Sequence, residues 1–123
     1  MNESNAISLA DKLGAFTERW SPRTVAQFNG HDIMAVTLEG EFVWHTHDVP
    51  DDFFLLLKGA LDIELRDELR DRTVRLRPGE IFIVPKGVEH RPVARPETHV
   101  LVIEPTGTPN TGDGKTAASR KLV

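Results

Sequence analysis

GEFVWHTHDVPDDFFLLLKG, residues 40–59, decides how this chain is read. His45 and His47 stand one residue apart, and alternate residues of a strand point to one face, so both imidazoles can aim at a single point. Asp51 and Asp52 follow the turn at Asp48-Val49-Pro50, where a carboxylate would begin a second strand-like run beside the histidines, and Gly59 closes that run. A His-x-His pair alone is weak evidence, because two half-exposed strand histidines have the same spelling. A second segment, GEIFIVPKGVEH at residues 79–90, adds weight to it. That segment begins at Gly79, breaks at Pro85-Lys86-Gly87 and ends on a third histidine, His90. Imidazole is the commonest protein metal ligand, and three imidazoles with a carboxylate can surround a metal ion.

Outward from these segments the chain reads as short strands cut by turn residues: 32–39, 41–47, 53–58, 60–66, 73–76, 80–84, 91–94 and 98–104. Regular short strands with such breaks predict an all-β sandwich or barrel. Leu61, Ile63 and Leu65 alternate with Asp62, Glu64 and Arg66, as in a strand with one buried and one wet face. The charged stretch 66–72 reads as a hairpin tip. Two runs, FFLLL at 53–57 and IFIV at 81–84, are apolar on both faces, so their outer residues need cover. A short helix at 8–17, with Ser8 at its start and Leu9, Leu13 and Phe16 on one face, supplies some of it. A second subunit is the natural cover for the rest, which predicts a homodimer.

Composition narrows the function classes. A chain of 123 residues with 39% hydrophobic and 28% charged residues is an ordinary globular domain. It divides into an N-terminal helix and arm (1–30), a barrel (31–104) and a flexible C-terminal arm (105–123). The formal charge of −4 without a basic stripe argues against nucleic acid as a partner. No cysteine is present, which removes disulfides, thiolate metal sites and cysteine nucleophiles together. No apolar run approaches the roughly 20 residues of a membrane span, and the polar start is unlike a signal peptide, so no membrane partner and a cytoplasmic location are expected.

The two segments resemble the paired motifs of the cupin family. His45, His47, Asp52 and Gly59 fill the first (His-x-His, three or four residues, an acid, six residues, Gly). Gly79, Pro85, Gly87 and His90 fill the second (Gly, five residues, Pro-x-Gly, two residues, His). Four rather than five residues separate Gly40 from His45, Ala94 stands where the second motif often ends in Asn, and the acid is Asp where the family usually has Glu. The resemblance covers residues 33–104. It implies an all-β cupin jelly-roll β-barrel (double-stranded β-helix) with a short N-terminal α-helix.

It also implies a divalent transition metal held by His45, His47, Asp52 and His90. Mixed nitrogen and oxygen ligation suits zinc, iron, manganese, nickel or copper alike and leaves positions open for water or substrate. Asp is one methylene shorter than Glu, roughly 1.5 Å of reach. Asp52 is therefore expected to be the weakest ligand or to act through water, which would leave it placed as a catalytic base. Residues in phase with the ligands, Val43, Phe54, Leu56, Phe82, Val84 and Pro92, are expected to line an apolar substrate pocket. Trp44, like Thr46, is expected to face away. His31, His99, Asp48 and Asp51 receive no role in the chemistry. The resemblance points to a metalloenzyme of dioxygenase or isomerase type acting on a small organic molecule. The alternative is a non-catalytic small-molecule- or sugar-binding cupin.

Overall fold

The computed structural model describes residues 6–107 and the backbone of 121–122. The elements among them are α1 (Leu9–Leu13), β1 (Arg23–Phe28), β2 (His31–Glu41), β3 (Asp52–Lys58), β4 (Leu61–Arg66), β5 (Asp71–Leu76), β6 (Ile81–Val84), β7 (Glu89–Pro105) and β8 (Lys121–Leu122). β7 organises the rest. Its first half pairs antiparallel with β4, and its second half pairs with β2 on one side and β3 on the other. The order β5-β4-β7-β2-β1-β8, with β3 joined to β7 and β6 to β3, folds over on itself as a jelly-roll barrel.

Three differences from the sequence reading have local causes. Pro96 does not break β7, because residues 95–97 are exposed, where a proline costs no ladder bond. There Thr98 Oγ1 accepts from Ala60 N–H at 3.2 Å, stitching the strand to the start of β4. β1 was missed because its register shifts between Thr24 and Ala26, which spoils any alternation in RTVAQF. The helix ends at Leu13, where Gly14 N–H donates back to Ala10 O. Ser8 caps its other end, accepting from Asp11 N–H at 3.2 Å.

The interior is filled from strands all round the barrel. Leu61, Ile63 and Leu65 of β4 point inward with Met34, Val36 and Leu38 of β2, Phe54 and Leu56 of β3, and Val100 and Val102 of β7. On the outer face Leu13 and Phe16 pack over Ala35, with Val25 and Leu57 beside them. That patch is what the N-terminal helix covers. Ile81 and Ile83 stay 56% and 48% exposed. Most of the arm expected at 105–123 lies outside the described residues; the backbone of β8 pairs parallel with β1 at Arg23 and Thr24.

Candidate metal centre

β2 gives way after Glu41 to an irregular stretch that carries the first two histidines. Phe42 N–H donates to Pro92 O at 2.9 Å, and His45 and His90 exchange both backbone bonds at 3.0 and 2.9 Å. The step from Phe42 to His45 thus faces the shorter step from Pro92 to His90, so the strand carries one extra residue, a β-bulge. The bulge shifts the inside–outside phase. Phe42 therefore joins His45 on the cavity side, and Val43, expected to line the pocket, is 51% exposed.

The second motif is folded against the first. Gly87, at φ 82, donates its N–H to His47 O at 2.7 Å, a left-handed conformation that glycine adopts without strain. Asp51, which the sequence left as a solubilising residue, accepts from Lys86 N–H at 2.9 Å and pins the same turn. Asp52 begins β3 opposite Val84.

These contacts bring His45, His47, Asp52 and His90 together, all buried, with one donor atom from each lying within 4.8 Å of the others. Asp52 Oδ2 lies 2.9 Å from His90 Nε2, 3.3 Å from His47 Nε2 and 3.9 Å from His45 Nε2. The shorter acid thus still carries its oxygen in among all three ring nitrogens. His45 Nδ1 lies 2.9 Å from Val43 O and His90 Nδ1 2.9 Å from Val88 O. A carbonyl only accepts, so each Nδ1 carries the hydrogen, and in the neutral ring Nε2 presents a lone pair to the centre. His47 Nε2 is buried and makes no hydrogen bond among the described residues. Lone pairs and a carboxylate facing one point in a buried interior suit a cation, and the cluster is consistent with a transition-metal site. Without a metal a hydrogen on Nε2 takes the cation's place, as between His90 Nε2 and Asp52 Oδ2. Burial pushes the Asp52 carboxyl up, but the side chains of His45, His47 and His90 together outweigh it and hold the group well below the usual carboxylate range.

The centre opens on a cavity lined by His45 and Asp52 with Phe42, Phe54 and Pro92. The opposite wall is built from β2 and β7, through Met34, Val36, Leu38, Val100, Val102 and Glu104. Trp20 and Pro22 close one side. Trp20 is fixed by bonds from its N–H to Thr37 O and from Nε1 to Glu39 O, both 2.9 Å, and stacks on Phe42 at 4.7 Å. Phe42 in turn meets the His45 ring edge-on at 5.4 Å.

Of the residues expected to line a pocket, Phe54 and Pro92 face this cavity, Leu56 and Val84 are sealed in the core, and Phe82 packs against that core. The opposite wall gave no signal in the sequence, because β2 and β7 are apolar on both faces over MAVTL and VLVI. Trp20 sits in a connection, where alternation says nothing. His31 and His99 stay outside the cluster, His31 against Asn29 O and His99 against Glu97.

The family model described as Cupin domain (Cupin_2) matches residues 33–104. A solved cupin-2 domain containing protein from Shewanella frigidimarina NCIMB 400 superposes with a TM-score of 0.76 at 41% identity, covering 81% of this chain and 94% of that one. The uncharacterized protein YdbB of Bacillus subtilis (strain 168) is 27% identical over 100 residues, 81% of this chain and 83% of its own. A 3-hydroxyanthranilate 3,4-dioxygenase of Xanthomonas euvesicatoria pv. vesicatoria (strain 85-10) is 32% identical over 88 residues, 72% of this chain. The match spans only 50% of that enzyme's length.

Proposed function

The chain belongs to the cupin domain family, and from that premise we propose that it is a metal-dependent dioxygenase acting on a small organic molecule held in the apolar cavity. One observation carries this reading: a buried cluster of three imidazoles and a carboxylate whose His45 and Asp52 face a cavity otherwise lined almost wholly by apolar side chains. The likeness to a 3-hydroxyanthranilate dioxygenase, partial in length, favours oxygen chemistry over isomerisation.

His45, His47 and His90 would hold the ion through Nε2 and Asp52 through Oδ2. A bound divalent transition metal would supply a Lewis acid and, if iron, a redox centre. The chain's own residues do the remaining work. Val43 O and Val88 O fix two of the rings in the tautomer that leaves Nε2 free. Met34, Val36, Leu38, Val100 and Val102 exclude water and take up the apolar body of the ligand. Trp20 and Phe42 form a rigid aromatic side to the same space. Asp52 would serve as a ligand rather than as the catalytic base expected of a side chain standing off the ion, since its Oδ2 sits among the ring nitrogens and its carboxyl is held well below the usual range.

The test is to strip the protein of metal, reload it separately with iron(II), manganese, zinc, nickel and copper, and measure stoichiometry and oxygen uptake across a panel of phenols and aminophenols. One ion per chain, lost in His47→Ala, with oxygen uptake by the iron form, is the expected result. Metal uptake no greater than that of His47→Ala would remove the site. Full loading with no oxygen consumed on any substrate would favour the binding-only alternative.

A further inference from the structure

We propose that Trp44 is a positioning residue for the metal centre, clasped on the outer face of the barrel so that the bulge keeps His45 and His47 pointing inward. The Arg66 guanidinium lies 3.8 Å from the centre of the Trp44 ring and that of Arg91 lies 5.0 Å from it. Both arginines are paired, Arg91 the more firmly and Arg66 on the more exposed side. Arg91 donates to Glu64 through Nε at 2.9 Å and Nη2 at 2.6 Å, and to Glu41 at 3.3 Å; Arg66 donates to Glu89 at 3.2 Å.

The register shows what this clasp acts on. In the β4–β7 ladder Glu64 faces Arg91, Leu65 faces His90, and Arg66 faces Glu89. Leu65 and His90 are buried, so the pairs on either side of them project outward. The clasp and the ligand His90 are thus two faces of the same three cross-strand pairs. Glu41 extends the network to the end of β2, so the stretch that carries the bulge is tied at the residue before it and within it.

A bulge needs such a tie. Side chains alternate with period two, so a slip by one residue would send Trp44 and Thr46 into the barrel and both histidines out to solvent. Two backbone bonds between His45 and His90 oppose the slip from inside. The ring between two paired cations opposes it from outside, one residue from Val43 O, which faces His45 Nδ1. The effect on metal affinity rests on the function proposed above, whereas the clasp itself can be tested without metal.

The experiment compares the full chain with Trp44→Ala, Trp44→Phe and Arg66→Ala. The first readout is amide hydrogen exchange in the metal-free proteins. Trp44→Ala should speed exchange at His45 and His90 by about tenfold, the scale of two ring–cation contacts, while Ile63 and Val36 keep their protection. Trp44→Phe, which restores an aromatic face, should recover most of the loss, and Arg66→Ala should show the same local loosening to a smaller degree. Unchanged exchange at His45 and His90, or protection lost evenly across the barrel, would overturn the proposal. Should Trp44→Ala not fold, Arg66→Ala and Trp44→Phe decide it by the same criterion. The second readout is zinc affinity by chelator competition. If the parent binds zinc, Trp44→Ala should bind about tenfold more weakly, and equal affinity would overturn the positioning role. If the parent binds none, the metal reading fails and exchange alone decides the clasp.

Discussion

A Cβ placed on Gly59 would stand 2.4 Å from Thr98 Oγ1 and 2.7 Å from Glu97 O, on a backbone at φ 94. The motif glycine is there because β3 and β7 touch at that point. Gly59→Ala should lower stability by about 3 kcal/mol through strain and overlap combined; an unfolding free energy in urea within about 1 kcal/mol of the parent's would contradict this contact. Asp52 gives two expectations of its own. Because its Oδ2 already sits among the three Nε2 atoms, Asp52→Glu should bind metal no more tightly than the parent in chelator competition. Tighter binding would mean that the native side chain falls short. The carboxyl is also held below its unfolded value of about 3.9, so its contribution to metal-free stability is full above that pH and fades as pH falls through the lower folded value. Asp52→Asn should flatten the acid limb of the stability profile, and an unaltered limb would count against the cluster. At this scale the site was legible because ligand chemistry and spacing are written in the residues. What could not be read was the phase of Phe42 and Val43, since a bulge changes which way a side chain points without changing any letter.

Among the elements, α1 and the turn after it do one identifiable job, placing Leu13 and Phe16 on Ala35 at the outer face. Phe16 also lies under the Arg23 guanidinium, 4.7 Å from its ring centre. Phe16→Ala should cost about 3 kcal/mol in denaturant unfolding and leave metal affinity unchanged, because the ligands sit on the inner side. A matching loss of metal binding would show that the helix shapes the site as well. β4 was the most legible strand, its alternation matched residue by residue in burial, because one face is dry and the other wet. β2 and β7 were harder. Each packs apolar side chains on both faces, so sequence shows that they are buried but not which residues see the cavity. The cut expected at Pro96 failed for a related reason: a proline ends a strand only where its missing N–H would have been needed.

At the scale of the whole molecule, Leu55 stands opposite Ile81 and Phe53 opposite Ile83, so four apolar side chains share one outer patch that α1 does not reach. A second copy of the chain is the proposed cover. Light scattering should give the mass of a homodimer at micromolar concentration, and the double variant Ile81→Glu with Ile83→Glu should give a monomer; a monomeric parent would end the proposal. β7 carries a different consequence, one of chronology. This strand pairs with β2, β3 and β4 and supplies His90, yet it is made after all three. During synthesis those earlier strands must wait with open edges, and the pairings that close the barrel span long stretches of chain, which makes closure slow. His45, His47 and Asp52 meet their fourth companion only when β7 docks, so the full set of four exists only in a barrel already closed.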